Sequence, residues 1–288
     1  MSGMVNNLGI LHSDENRMAE ARQAYEEALK IDRQLADKNP DTYLPDVAGI
    51  LNNLGTLHTN ENNMGEAGQA FEEALKIFRQ LAKKNPETYL PGVAITLNNL
   101  GTVRAKENRM VEAHQAYEEA LKIYRQLAEK KPDTYLPDVA GTLNNLGNLH
   151  KVEKAFFEAR QAYEEALKIR RQLAERNPDT YLPDVAVTLN NLGVLYSDEN
   201  LMDAARQALE KALKIRRQLA EKNPDTYLPY VAKTLNNLGN LHAKENHMGE
   251  ARQVLDEALK IYQQFAARDH AQYDPYVQRV TNLLAQLP

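Results

Sequence analysis

The chain has 288 residues, 43% hydrophobic and 26% charged, with 35 basic against 40 acidic side chains and no cysteine. It is long and apolar enough to bury a core, and too apolar for a disordered chain. The missing cysteine excludes disulfides, thiolate catalysis, Cys-ligated zinc and iron–sulfur clusters, and a net charge of −5 lacks the basic excess that nucleic acid attracts.

Self-similarity governs everything that follows. The triplet Asn-Leu-Gly places its glycine at Gly9, Gly55, Gly101, Gly147, Gly193 and Gly239, each 46 residues after the last. Six such units cover nearly the whole chain, so a single array over residues 1–288 replaces the two domains that length alone suggests. Met1 falls where the second unit has Val47, so the chain is expected to begin inside a helix, as a piece of a longer array. At the other end, from about Tyr273, Asp274-Pro275-Tyr276-Val277 echoes Leu228-Pro229-Tyr230-Val231, the first helix of a partial seventh unit. No apolar run reaches the ~18 residues of a membrane span and no signal peptide is present. A cytoplasmic protein without membrane contact is expected.

The second unit shows the pattern. Val47, Leu51, Leu54 and Leu57 step along one face of a helix, with Pro45 suited to its first turn. The helix is expected to end near Asn60-Glu61-Asn62. Asn62 recurs as Asn16, Asn108, Asn200 and Asn246, with Lys154 as the exception, and asparagine tolerates the left-handed conformation that a tight helix–helix turn needs. A second helix follows from about Met64 to Lys84, burying Met64, Ala67, Phe71, Ala74 and Leu75. Glu72 precedes Lys76 by one turn, a favourable exposed pair. The segment Asn85-Pro86-Glu87-Thr88-Tyr89-Leu90-Pro91 reads as a linker that breaks the helix twice. Proline pairs in every unit, and a period divisible by neither 7 nor 11, exclude a continuous coiled coil. Two helices per unit make an all-α solenoid. A glycine inside each first helix costs about 1 kcal/mol against alanine, so another helix must approach closely there, with Ala67 and Ala74 as its small partners.

These residues resemble the tetratricopeptide repeat family. Its small and large positions fall at Leu51, Leu54, Gly55, His58, Ala67, Phe71 and Ala74 in the second unit. In the fourth they fall at Leu143, Leu146, Gly147, His150, Ala159, Tyr163 and Ala166. The family's proline at the end of the second helix is replaced by Arg79 and its equivalents, and its tryptophan by Leu51. With the Asn-Asn-Leu-Gly run, this is similar to the long-repeat subclass of kinesin light chains. The resemblance implies a right-handed superhelical α-solenoid of six 46-residue helix-turn-helix repeats plus a C-terminal helix.

Chemistry is sparse. No phosphate loop, dinucleotide fingerprint, His-Glu-x-x-His, calcium loop or Gly-x-Ser-x-Gly elbow occurs, so no catalytic residue, cofactor or metal is expected. His12, His58, His150 and His242 share one position, but Arg104 and Tyr196 fill it too. Core-edge packing is therefore favoured over metal binding, because neighbouring helices stand too far apart to share one ion. The tyrosines Tyr43, Tyr89, Tyr135, Tyr181 and Tyr227 are expected to pin each linker over the gap between units.

The paired asparagines are the informative polar feature: Asn6-Asn7, Asn52-Asn53, Asn98-Asn99, Asn144-Asn145, Asn190-Asn191 and Asn236-Asn237. Asparagine is a poor helix former, yet its amide both donates and accepts and can pair with any peptide backbone. The resemblance implies that the first helices line a concave groove. There Asn7, Asn53, Asn99, Asn145, Asn191 and Asn237 would grip an extended peptide, flanked by Asn52, Asn98, Asn144, Asn190, Asn148, Asn240 and Lys233. The alternative is that the amides bond neighbouring helices. Asn148, Asn191 and Lys233 match part of the family's basic clamp for an acidic C-terminus, but Asn144 and Asn237 replace its other basic residues, which argues against that mode. Two functions follow: a non-catalytic scaffold that binds a peptide or protein segment, or a strut that associates end to end within a larger signalling protein.

Overall fold

In the computed structural model, which describes residues 2–287, one residue in the left-handed region closes each turn from a first to a second helix. Asn16, Asn62, Asn108, Lys154, Asn200 and Asn246 have φ between 59° and 65°. These are the positions the sequence pattern marks, including its lysine exception. The backbone N–H that follows then reaches back across the turn, as Asn63 does to His58 O at 2.8 Å.

Thirteen helices result among the described residues: α1 (Ser2–Asp14), α2 (Met18–Ala36), α3 (Pro40–Asn60), α4 (Met64–Lys84), α5 (Pro86–Lys106), α6 (Met110–Lys130), α7 (Pro132–Val152), α8 (Phe156–Arg176), α9 (Pro178–Asp198), α10 (Met202–Lys222), α11 (Pro224–Lys244), α12 (Met248–Ala266) and α13 (His270–Gln286). The all-α architecture of six hairpins plus one helix is as expected. Met1, where the chain was expected to open inside a helix, lies outside the described residues. No helix among those described is long and apolar enough to cross a membrane.

The chain divides into two compact units, Met1–Leu149 and His150–Pro288. In the first, consecutive helices pack on one another from α1 to α6. Its core joins Tyr25 and Ala28 of α2, Val47, Leu51, Leu54 and Leu57 of α3 and Ala74 of α4. In the second, α8 to α13 pack in the same succession. Leu209 of α10, Leu235 and Leu241 of α11, Leu255 and Tyr262 of α12 and Val280 of α13 share one apolar cluster. Each fully buried Leu or Phe contributes about 1.5–3 kcal/mol, so every hairpin depends on its neighbours for stability.

The proline segments are not linkers. Pro40, Pro86, Pro132, Pro178 and Pro224 each open a helix, and Pro45, Pro91, Pro137, Pro183 and Pro229 lie inside it. The first proline sits where a missing N–H costs nothing. The second removes only one hydrogen bond, close to the helix start. Capping compensates: Asn85, Asn177 and Asn223 accept from the N–H of Thr88, Thr180 and Thr226 at 3.2–3.4 Å. Asp269 repeats the cap on Gln272, which is why α13 starts ahead of Tyr273. After four of the five opening prolines the acidic residue meets a base at the antiparallel helix end: Asp41 with Lys84 at 2.5 Å, Glu87 with Lys130 and Asp179 with Lys222 at 2.6 Å, and Asp225 with Arg268 at 2.7 Å. Both partners suit the helix dipoles. Being exposed, each pair is screened by water and contributes little.

The nearest neighbour of the repeat glycines is an aromatic or leucine side chain, with an expected alanine following only at Gly193, where Ala205 O lies 3.2 Å from a Cβ. A Cβ on Gly55 would stand 2.6 Å from the Phe71 ring, and one on Gly9 or Gly101 would strike Tyr25 or Tyr117. Leu209 and Leu255 fill the same place against Gly193 and Gly239. The alanines pack beside this contact; Ala67 and Ala74 are fully buried. Glu72, expected to pair with Lys76, lies instead against the buried guanidinium of Arg104.

Candidate functional site

The first helices bring the asparagine pairs into register. In the first unit, Asn53 Nδ2 donates to Asn6 Oδ1 at 3.1 Å and Asn145 Nδ2 to Asn98 Oδ1 at 3.2 Å. In the second, Asn237 Nδ2 donates to Asn190 Oδ1 at 3.0 Å. In these three cases the second amide of one first helix reaches the first amide of the preceding one. Asn52 Nδ2 donates to Thr96 Oγ1 at 2.8 Å, and that hydroxyl lies 2.7 Å from Gly92 O. Asn190 Oδ1 also accepts from Arg216 Nη1 at 3.3 Å.

Exposure separates the two members in three of the six pairs: Asn6 from Asn7, Asn144 from Asn145 and Asn190 from Asn191. Asn190 and Asn144 are buried, Asn52 and Asn98 half-buried. Of the proposed gripping residues, Asn7 is exposed, while Asn53, Asn99, Asn145, Asn191 and Asn237 are half-buried. Asn148 and Lys233 are exposed, and Asn240 donates to Asn236 O at 3.0 Å. Asn237 and Asn240 line a depression of about 510 Å³ in the second unit, together with Ser197, Asp198 and Lys244. Lys244 Nζ donates to Ser197 Oγ at 3.0 Å and to Ser197 O at 3.2 Å. The wall therefore offers amide, hydroxyl, ammonium and carboxylate groups beside the apolar Val194 and Leu209.

Beneath this face the second unit buries positive charge. Arg216 is 4% exposed; its Nη1 donates to Thr234 Oγ1 at 2.5 Å, Tyr230 O at 3.0 Å and Asn190 Oδ1. All three acceptors are neutral, and burial holds its pKa down to about 10. Lys233, although its side chain reaches solvent, also has its pKa lowered, by partial desolvation and then by Arg216 and Lys151. The buried threonines Thr96, Thr142, Thr188 and Thr234 were not recognised in the sequence, although their own 46-residue spacing marks them. They supply the hydroxyls that anchor Asn52, Arg170 and Arg216.

His12, His58 and His150 face carboxylates of their own turns, with Nδ1 at 4.0 Å from Glu15, 3.6 Å from Glu61 and 3.8 Å from Glu153. Tyr43, Tyr89, Tyr135, Tyr181 and Tyr227 are half-buried, within helix first turns rather than linkers.

Antiparallel helix hairpins repeated along the chain define a helical repeat protein. Family models described as tetratricopeptide repeat match residues 46–126 and 138–218, 231–272 and 3–35. The chain belongs to the tetratricopeptide repeat family. Among solved structures, it is similar to BtubC (BKLC) from P. vanneervenii, with 25% identity and a TM-score of 0.69, covering 86% of this chain and 92% of that one. It also shares its fold with the apo form of RapI, at 16% identity, 98% coverage of both chains and a TM-score of 0.61. A Rap protein complexed with competence and sporulation factor is 14% identical, covering 99% of this chain and 76% of that one, with a TM-score of 0.61. No curated protein matches significantly.

Proposed function

We propose that this chain is a non-catalytic interaction scaffold whose first-helix face holds an extended peptide or protein segment through its asparagine amides. The reading is supported above all by the depression lined by Asn237, Asn240 and Lys244. An amide carries two N–H donors and two acceptor lone pairs. The bond from one first helix to the next uses one donor of Asn53, Asn145 or Asn237, leaving capacity for a ligand backbone. Neighbouring amides held in register are pre-organised, which lowers the entropy lost on binding. Sequence preference would come from Lys233, Lys244 and Lys151. Neither nucleic acid nor membrane is the proposed partner. The 25% identity with BtubC supports a kinesin-light-chain-like member of the family.

Linear peptides selected from a random library on the intact chain provide the test. The variant Asn53→Ala, Asn99→Ala, Asn145→Ala should lose binding of the peptides that dock on the first unit while keeping its helical circular dichroism. Undiminished binding of every selected peptide to this variant and to its counterpart Asn191→Ala, Asn237→Ala would exclude the amides as the grip.

The second reading is end-to-end self-association. It is favoured by the apolar face of α1, where Met4 is 74% and Leu11 52% exposed. Light scattering over a range of concentrations distinguishes it: a rise in mass that Leu8→Glu, Leu11→Glu abolishes supports assembly, and constant mass excludes it.

A further inference from the structure

The turn between α11 and α12 gathers three metal-ligating side chains. His242 lies in the last turn of α11, Glu245 is its C-cap and His247 the N-cap of α12. One donor atom from each lies within 4.8 Å of the other two, and among the described residues no other such group of three occurs. The left-handed Asn246 (φ 65°) reverses the chain between them, and His247 N–H bonds to His242 O at 2.8 Å. The backbone therefore fixes the two imidazoles on either side of one carboxylate. Their rings are 6.2 Å apart, and His247 Nδ1 stands 3.9 Å from Glu245 Oε2.

A second observation points to a missing electrophile. His242 Nδ1 and Glu245 Oε2 are both buried without a hydrogen-bond partner. Leaving such buried atoms unsatisfied is costly. The other oxygen of Glu245 accepts from Arg206 Nη2, which orients the carboxylate and leaves Oε2 directed elsewhere. His12 and His58 also lack a hydrogen bond at Nδ1, and Glu199 at Oε2, but among the described residues only this turn leaves its histidine and its glutamate both without one; at His58, Glu66 lies 3.2 Å away as a charge partner. The position of His247 is taken in the other turns by Arg17, Asn63, Arg109, Ala155 and Leu201. The last turn alone pairs two histidines with the recurrent glutamate.

We propose that His242, Glu245 and His247 bind a divalent transition ion of the zinc type, clipping the end of α11 to the start of α12. Two imidazole nitrogens and one carboxylate oxygen suit zinc, cobalt or nickel, whereas calcium and magnesium prefer all-oxygen sites. Ligand bonds of about 2.0–2.2 Å require the donors to draw together, and the half-exposed His247 is free to swing inward. Three protein ligands leave one coordination position open to water or to a donor from a partner. The inference rests on this turn's own geometry and is independent of peptide binding.

The intact chain, dialysed against a chelator, is titrated with Co²⁺ and followed by its visible absorption; Zn²⁺ is then followed by calorimetry and melting. The expected result is one saturable Co²⁺ site, displaced by Zn²⁺, with a melting temperature raised by Zn²⁺. His247→Asn copies the residue of the second unit's turn and so preserves the fold. It should weaken both ions by roughly tenfold or more and abolish the thermal shift. Absence of a saturable Co²⁺ spectrum in the wild type overturns the proposal. So does equal affinity in His247→Asn, which would place the ion on other histidines.

Discussion

Gly55 of α3 lies against the ring of Phe71 in α4 so closely that a Cβ at Gly55 would stand 2.6 Å from Cε1. Phe71 is 1% exposed, so the ring has nowhere to move. Alanine gains about 1 kcal/mol of helix propensity over glycine, whereas overpacking a filled core costs about 1–3 kcal/mol. Gly55→Ala should therefore be net destabilising despite its better propensity, and Gly55→Val more so. Urea denaturation of the two variants checks both sign and order.

Lys154 occupies the left-handed position that asparagine holds in the other five turns. A side chain there costs about 1–2 kcal/mol, less for asparagine, which bonds locally. Lys154→Asn should raise stability by about 0.5–1 kcal/mol, while Asn62→Ala should lower it by a similar amount. Thermal melting of each variant gives the sign directly.

Asn190 joins two elements, accepting from Asn237 Nδ2 at 3.0 Å and Arg216 Nη1 at 3.3 Å. Removing it leaves a buried guanidinium short of an acceptor, at a cost of about 1–3 kcal/mol. Asn190→Ala should therefore destabilise more than Asn53→Ala, whose bond to Asn6 lies at a half-buried site. If the two cost the same, the buried bridge carries no special weight. Denaturation midpoints decide.

The fold was legible because its signals are local and repeated. The left-handed turn residues, the helix C-termini and the glycine contacts all recur at one period. The helix N-termini were placed one turn late: Pro45 was assigned to the first turn of α3, whereas Pro40 opens that helix and Pro45 lies inside it. The contact partner of Gly55 was also misassigned, because a small residue invites a small partner, yet the missing Cβ makes room for a ring. Bonds between amides of neighbouring helices stood in the sequence as an alternative to gripping a ligand, but their partners did not, as Asn53 and Asn6 lie 47 residues apart. The His242–Glu245–His247 turn was missed because the histidines were compared between units rather than within one.

Burial pushes the phenols of Tyr117, Tyr124 and Tyr262 upward, and Tyr196 is raised to about 12 by burial and then by Glu164. A phenol whose folded value exceeds its unfolded value near 10 binds more protons in the native state. Its contribution to stability is complete below pH 10 and is lost as pH rises through the folded value. Melting temperature should fall from about pH 10 upward, and ultraviolet titration should show the buried tyrosines ionising only as the chain unfolds. Tyr196→Phe should flatten the part of the decline that falls between pH 10 and 12.

The most direct measurement of the central claim is fluorescence anisotropy of a library-selected, labelled peptide, chosen to compete at the Asn237–Asn240 depression, on wild type and on Asn237→Ala, Asn240→Ala. Amide recognition predicts at least a roughly tenfold weaker Kd with melting within a few degrees of wild type. An unchanged Kd in a folded double variant would contradict the account.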